Sequence, residues 1–585
     1  MCYNYLNSKG NLSMKITHLK VDISENIRHS VHPVLAQVLA NRGVESMADI
    51  NYALKGLIHF DKMLNIKDAA VVVAEAIVAN KNIVISMDYD ADGCTAGSIM
   101  CEGLSILGST NHSYCVPDRF KHGYGFSIPY VESLVSRGIR PDVLITVDNG
   151  ISNVEGVARL KELLPNCTVI ITDHHLAPEI LPNADVIVNP NQKGCPFPSK
   201  ALAGCGVAFY LIAAVRRFMV EAGFHADYCD IASLLDLVAL GTVADVVPLD
   251  RNNRILVKAG LDRINAGYAR PGIAALLVVG KRQIGKIVSS DFGFTVGPRL
   301  NAAGRLEDMT IGIRCLLSQT YEEALVVANE LDDLNKKRRV IEQKMSQSAM
   351  ADLKGDCNEF GLCFYSPEWH KGVVGIVSSR VKEKTNRPVI CFGAVDEHGM
   401  ISGSARSIKG LHLRNILEAI DVQNVGLIKG FGGHAMAAGL TIPESEFDRF
   451  SELFDKEVER VASVETLEGE VISDGSIPNK YMNLQTVGVL KHSTPWGQDF
   501  PEPTFDDYFD IDEIKIVGGK HLKYTLSKEG SKFAAIHFFA LEEGEPKPTY
   551  KRARVVYQLQ DNEFNNQISL QLIVQRLFVN QEELI

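Results

Sequence analysis

Asn82–Gly93 reads "NIVISMDYDADG", an apolar run followed at once by three aspartates, Asp88, Asp90 and Asp92, at alternating positions. The run has the length and β-branched content of a buried strand. In an extended segment alternate residues face the same way, so the three carboxylates repel one another strongly. Such an arrangement calls for positive charge between them.

The same grammar recurs through Pro190. The apolar runs "NIVIS", "DVLITV", "TVIIT" and "DVIVN" alternate with "AGSIMCEGLSILG", "IPYVESLVSRG" and "NVEGVARLKELLP", whose apolar positions fall at helical spacing. Strands alternating with helices predict a parallel, doubly wound sheet. This α/β domain is expected to continue through the helical "LLDLVALGTVAD" to about residue 270. A long helix follows, opened by Thr320 and Glu323 in a capping-box pattern. Ala324, Ala328, Leu331, Leu334, Ile341, Met345 and Leu353 repeat near one face, and Gly355 is a natural stop. A second α/β block runs from about Cys357 to Val464, with strand-like "GLCFY" and "PVICFG". From about Glu465 the chain turns β-rich and predicts a small antiparallel barrel of OB type. The expected divisions are residues 1–55, an extension with helices; 56–270, the first α/β domain; 271–355, a connecting helical region; 356–464, the second α/β domain; and 465–585, the OB-like domain.

With 585 residues the chain exceeds the size of one hydrophobic core. Its 46% hydrophobic and 22% charged content are those of an ordinary globular protein, and its longest apolar runs are too short to cross a bilayer. The opening "MCYNYLNSKGNLS" lacks the basic start and apolar core of a signal peptide, and Met14 is a candidate natural start. The 12 cysteines form no CxxC pair and read as buried small hydrophobes, which suits a reduced cytoplasm. A net charge of −11 does not exclude a nucleic-acid partner, because a basic channel can coexist with an acidic exterior.

In open α/β sheets the ligand sits beyond the carboxyl ends of the strands. The residues found there are Asp88, Asp90 and Asp92 after the first run, Asp148 before Asn149-Gly150, Asp173-His174-His175 after "TVIIT", and Asp245 past a helical run. Singly, each Asp reads as a helix N-cap and the His pair as a packing feature. Jointly, these carboxylates and imidazoles on one rim are untenable without cations. Mixed carboxylate and imidazole ligands suit manganese or magnesium. Two such ions held by a bridging carboxylate activate water against a phosphoester. No P-loop is present, so a nucleotide-driven motor is not indicated.

"DYDADG", "VDNG", "TDHH" and "GTVADVVPL" resemble the successive motifs of the DHH phosphoesterase superfamily. "GSARS" (Gly403 to Ser407) and "GFGGHAMAAG" (Gly430 to Gly439) resemble its DHHA1 accessory domain. "GPRLNAAGR" (Gly297 to Arg305), "PEWHKGVVGIVSSR" and "PWGQDFPEP" narrow the likeness to the RecJ family of single-strand-specific 5′→3′ DNA exonucleases. The resemblance implies two Mn2+ or Mg2+ ions, with Asp90, Asp92, Asp148, His174 and Asp245 as ligands and Asp148 bridging. It implies that Asp173 orients the imidazoles and His175 faces the scissile phosphate. Many relatives carry a His four residues before the first aspartate ligand; here Ser86 stands there, and Asp88 is the candidate substitute. Ser404, Arg406, Gly432, Gly433 and His434 would surround a 5′-terminal phosphate, and so set polarity. Arg299 and Arg305 are either structural or hold the strand near the metals.

A cleft between the two α/β domains too narrow for a duplex would select single strands. Lys336 to Arg339 on the long helix and Lys520, His521, Lys523 and Tyr524 in the β-rich end are candidate DNA contacts. The expected function is metal-dependent release of 5′-mononucleotides from single-stranded DNA in recombination and repair. The expected enzyme is a cytoplasmic monomer without a membrane partner, recruited by a single-strand-binding protein or a RecQ-type helicase. The alternatives are a DHH phosphodiesterase on short oligonucleotides or cyclic dinucleotides, and a catalytically silent replication scaffold. The first needs no extended DNA path, and the second loses acids that this chain retains.

Overall fold

Four of the five strands in the first sheet are the apolar runs: Ile83–Met87 (β1), Val143–Val147 (β3), Thr168–Thr172 (β4) and Val186–Val188 (β5). The other, His112–Cys115 (β2), has no apolar run because it is an edge strand with Ser113 and Tyr114 exposed. All five are parallel, in the order β2-β1-β3-β4-β5. The order reverses between β1 and β3, the switch point at which such sheets bind ligands. Register does the rest. Met87, Val147, Thr172 and Val188 are paired across the ladder, so the next residues, Asp88, Asp148, Asp173 and Asn189, form one row at its carboxyl edge.

The computed structural model describes residues 3–4, 13–19, 21–123, 125–224, 226–353, 359–541 and 545–579. Gly355 and Cys357, the expected end of the long helix and start of the second block, lie outside the described residues. The chain falls into two compact units, Ser46–Lys336 with Lys491–Glu502, and Met1–Glu45 with Lys337–Leu490 and Pro503–Ile585.

In the first unit, helices Ala91–Ile106 (α1), Val154–Leu163 (α2), Gly204–Glu221 (α3) and Leu235–Ala244 (α4) surround the sheet. Helix Gly297–Leu306 (α5) and the start of Tyr321–Asp352 (α6) belong here too. The stretch from 271 to 336, expected as part of a separate connecting region, thus belongs to the same compact unit as the first sheet. The fit is close: a methyl on Gly304 would lie 2.0 Å from the Tyr89 carbonyl oxygen. "PWGQDFPEP" also returns to this unit. Trp496 and Phe500 stack with ring centroids 5.3 Å apart, the Arg254 guanidinium lies 4.1 Å from the Phe500 ring, and Trp496 N–H donates to Ser289 Oγ at 3.1 Å. These buried aromatics outweigh the sequence distance to the sheet.

In the second unit, Leu362–Tyr365 (β6), Val389–Phe392 (β7), Met400–Arg406 (β8), Gly430–Gly433 (β9) and Ala437–Pro443 (β10) form a mixed sheet in the order β9-β10-β8-β7-β6. Helix Val374–Thr385 (α7) packs on it. Phe505–Val517 (β11), His521–Lys528 (β12), Ser531–His537 (β13), Arg552–Phe564 (β14) and Gln567–Phe578 (β15) close into a barrel, as the alternating β-rich segments require. Ser13–His18 pairs in parallel with Gly469–Ser473, and Arg42 Nη1 bonds Asp474 Oδ1 at 2.7 Å, so N-terminal residues brace the approach to the barrel.

Candidate metal centre

Asp88, Asp90 and Asp92 do not converge by strand alternation. The strand stops at Met87, Asp90 caps α1 by accepting from the Asp92 and Gly93 N–H groups, and Asp92 lies in the first helical turn. The loop is held from α5, where Asn301 Oδ1 accepts from Ala91 N–H at 2.9 Å. Asp92 is fixed from the start of α3, its two oxygens accepting from Gly204 N–H at 2.6 Å and Cys205 N–H at 3.0 Å.

Asp148 sits at φ 61°, and Gly150 follows at φ 111°. A left-handed aspartate is uncommon and costs strain, and the turn it makes sends the carboxylate back over the sheet edge. His174 Nε2 lies 3.1 Å from Asp148 Oδ1, 3.5 Å from Asp245 Oδ2 and 4.0 Å from Asp92 Oδ2. Three sets of donor atoms lie within 4.8 Å of one another: Asp88, Asp90 and Asp148; Asp92, His174 and Asp245; and Asp148, His174 and His175. Ser86, at the position where the resemblance leads one to expect a His, is fully buried, and Asp88 lies among the clustered donors.

The electrostatics agree with the geometry. Burial, reinforced by Asp92, Asp90, Asp245 and Asp88, pushes the Asp148 carboxyl well above its usual range. Burial and the Asp92 charge do the same to Asp245, and burial with Asp90 pushes Asp88 up to about 8. Asp173 differs. Burial opposes its charge, yet the bond and charge of His175, His174 and the Ile151 N–H together hold it below its usual value. Its Oδ1 takes the His174 N–H at 2.7 Å and His175 Nδ1 at 2.7 Å. Although burial works against the His175 cation, that bond raises its pKa to about 9.

The donor set fits divalent cations. Among the described residues, Asp148 Oδ1 and His174 Nε2 are buried with no hydrogen-bond partner, although they face each other. Buried polar atoms are satisfied as a rule, and a carboxylate oxygen opposed to an imidazole nitrogen in an acidic cluster is the signature of a cation ligand set.

Of the remaining expected residues, Ser404, Arg406, Gly432, Gly433 and His434 gather on one sheet. Ser404 and Gly432 both pair with Gly439 of β10, and Arg406 Nη1 donates to Ser404 Oγ at 3.0 Å. The first turn of α7 faces Ser404 and Arg406, since a methyl on Gly375 would lie 2.8 Å from Ser404 Oγ and 3.0 Å from Arg406 Nη2. Arg299 is not at the metal cluster. Its guanidinium is buried against Asp332 at 2.7 Å and the Thr295 carbonyl at 2.6 Å, so it pins α5 to α6. Arg305 lies in the last turn of α5 near the Tyr89 hydroxyl, whose pKa burial pushes well up despite the charges of Arg119 and Arg305. Lys336 pairs with Asp332 and Asp333 on a solvated helix face, whereas Arg338 and Glu342 pair largely buried, with Arg380 also bonded to Glu342. Tyr524 belongs to the barrel interior, 1% exposed and bonded to the Tyr550 hydroxyl, because β12 turns it inward. Phe538 and Phe539 are exposed nearby, with Lys520 Nζ 5.0 Å from the Phe539 ring centre. Residues that sequence reasoning missed are Asn301, which lies inside the motif "GPRLNAAGR", and the Gly204 and Cys205 amides and Arg119, which stacks 5.0 Å over Tyr89 and, like the amides, carries no local signal.

A parallel sheet with an acid–imidazole cluster at its switch point defines a metal-dependent phosphoesterase of the DHH type. Residues 82–242 match the DHH family N-terminal domain, 358–460 the DHHA1 domain and 473–576 the RecJ OB domain. The chain belongs to the RecJ family. It is 42% identical over 97% of its length to the single-stranded-DNA-specific exonuclease RecJ of Escherichia coli, covering 99% of that protein. It is 45% identical to the Haemophilus influenzae protein of the same name, over 93% of this chain and 96% of the other. The crystal structure of RecJ in complex with Mn2+ from Thermus thermophilus superposes with TM-score 0.80 at 27% identity, over 97% of this chain and 80% of that one; a Mg2+ complex of the same protein gives 0.75 at 26% identity, over 97% and 79%.

Proposed function

We propose that the protein is a metal-dependent exonuclease that degrades single-stranded DNA from its 5′ end to 5′-mononucleotides, in recombination and repair. The observation that carries this reading is the buried Asp148 oxygen facing His174 between carboxylates, on a chain whose relatives are single-strand-specific exonucleases. Asp90, Asp92, Asp148, His174 and Asp245 would hold two Mn2+ or Mg2+ ions, with Asp88 in the place left by Ser86. Asp148, like His174 common to two of the donor sets, would be the carboxylate shared by both ions. A bound ion pair supplies an activated water and neutralises charge on the phosphodiester. Asp173 positions the imidazoles, and its bond to Nδ1 of His175 turns the Nε2 edge toward the scissile phosphate.

Ser404, Arg406, the Gly432–Gly433 backbone and His434 receive the 5′-terminal phosphate. A guanidinium and glycine amides facing a helix start suit that anion. Arg305 holds the strand near the first motif. The metal cluster is complete within one chain, which supports a monomer, and the ten described cysteines are free, which supports a cytoplasmic location. Recruitment by a single-strand-binding protein or a RecQ-type helicase completes the reading and is supported by family membership alone.

The test is a 5′-phosphorylated single strand labelled at either end, beside its duplex, with Mn2+. Mononucleotides from the 5′ end of the single strand alone are expected. Digestion from the 3′ end, or equal cutting of the duplex, refutes the reading.

A further inference from the structure

Two large apolar side chains stand exposed on the wall that carries Asp245. Val246, the next residue, is 62% exposed and holds φ 62°, a strained conformation for a β-branched residue. Phe294 is 76% exposed on the π-helical turn Phe292–Val296, whose Phe292, Thr295 and Val296 are buried. π-Turns are rare and frequent at functional sites. This one lies against the end of α4. A methyl on Gly293 would lie 3.6 Å from Val243 Cγ1, and one on Gly297 3.2 Å from Ala244 Cβ, and Asp245 follows Ala244 directly. The turn is also fixed. Arg282 Nε donates to Thr295 Oγ1 at 3.0 Å, Arg299 Nη1 donates to the Thr295 carbonyl at 2.6 Å, and Arg282 pairs with Asp291 at 2.9 Å. A ring held rigidly in water adds little to folding, since the stabilisation from burying it is forgone.

We propose that Phe294 is a base-stacking residue of the substrate strand, and that it contributes to the choice of single strands. The proposal rests on the nuclease reading. The occupant follows from position. A strand whose phosphate is engaged at Asp245 must carry its neighbouring nucleobase past this wall, and an aromatic face is what an unpaired base stacks on. In a duplex both faces of an internal base are already covered by its neighbours, so the same ring offers a paired strand nothing.

The experiment moves one abasic nucleotide stepwise from the 5′ end of a 5′-phosphorylated strand and follows hydrolysis by the full chain with Mn2+. The unmodified protein is expected to lose about five- to hundredfold in kcat/KM when the gap falls at one position, and little elsewhere. Phe294→Ala should lose a similar factor on the intact strand and show no further loss at that position. Phe294→Leu, which keeps an apolar side chain without an aromatic face, should behave as the alanine variant does, and Phe294→Tyr should restore discrimination. An unchanged positional penalty in Phe294→Ala and Phe294→Leu overturns the proposal, because a merely structural role lowers all substrates alike. Inertness of the unmodified protein on the intact strand overturns the nuclease reading itself, a separate and visible outcome.

Discussion

Gly204→Ala should disable the metal centre at a limited cost in stability, no more than about 2–3 kcal/mol. A methyl at Gly204 would lie 2.6 Å from Asp148 Cβ, 2.7 Å from its Oδ1 and 2.8 Å from its Cγ. Carbon contacts are comfortable at about 3.5–4.0 Å, so the Asp148 carboxylate must retreat by roughly 1 Å. It has little freedom to do so, because Asp148 already sits at φ 61° and Asp92 is tied to the Gly204 and Cys205 N–H groups. Overpacking of this kind costs about 1–3 kcal/mol, against up to about 1 kcal/mol that alanine returns in a helix. Net stability therefore falls by no more than about 2–3 kcal/mol. A displacement of about 1 Å in a metal-bridging group, by contrast, costs on the order of 10²-fold in rate. Calorimetric Mn2+ titration, kcat/KM on a 5′-phosphorylated single strand and thermal unfolding of the metal-free protein separate the two effects. Gly206→Ala is the control, since its methyl meets only the Leu202 side chain, at 3.0 Å and beyond. A Gly204→Ala protein with the Mn2+ affinity and rate of the unmodified one would show that Asp148 has room to spare, and the geometric reasoning fails.

Asp148→Ala should abolish Mn2+-dependent release of mononucleotides while a gel-shift assay shows single-strand binding largely retained. Removing metal should make stability fall as pH rises from the ordinary carboxylate range toward 8. The folded state binds a proton on Asp88, raised to about 8, that the unfolded chain has already released. Thermal melts with and without Mn2+ across that window check the sign, and a rising trend in the metal-free protein contradicts it. In the metal-free protein, Asp173→Asn should lower the His175 pKa from about 9 toward the ordinary imidazole value, because the bond to Asp173 is what outweighs burial; NMR titration reads it directly. The stability His175 contributes is complete below the unfolded imidazole pKa and is lost as pH rises through about 9. Arg299→Ala should destabilise by about 1–3 kcal/mol in denaturant melts, through loss of its bonds to the Thr295 carbonyl and to Asp332, which keeps Lys336, while KM for DNA stays unchanged. A raised KM with normal stability would return Arg299 to the substrate.

The residues decided a good deal without any tertiary information. Period and composition gave four of the five strands of the first sheet, the long helix with Ala324, Ala328 and Leu331 buried on one face, and the β-rich end. The excess of acids at strand ends gave the metal cluster, because repulsion between like charges is a local fact that a sequence displays. Only the folded chain decided the rest. The edge strand His112–Cys115 draws its stability from a neighbour and not from its own pattern. "PWGQDFPEP" packs beside Ser289 because two rings and a guanidinium find their partners there, more than 200 residues away in sequence. Arg299 reads equally as structural or as a strand contact until Asp332 is seen to occupy it, and Tyr524 as a stacking face until the barrel closes over it. Which acids a chain carries is written in its residues, whereas which partner each side chain meets depends on ladder register and helix approach. That is why Asp88, Asp148 and Asp173 fall in one row only once Met87, Val147 and Thr172 are hydrogen-bonded side by side.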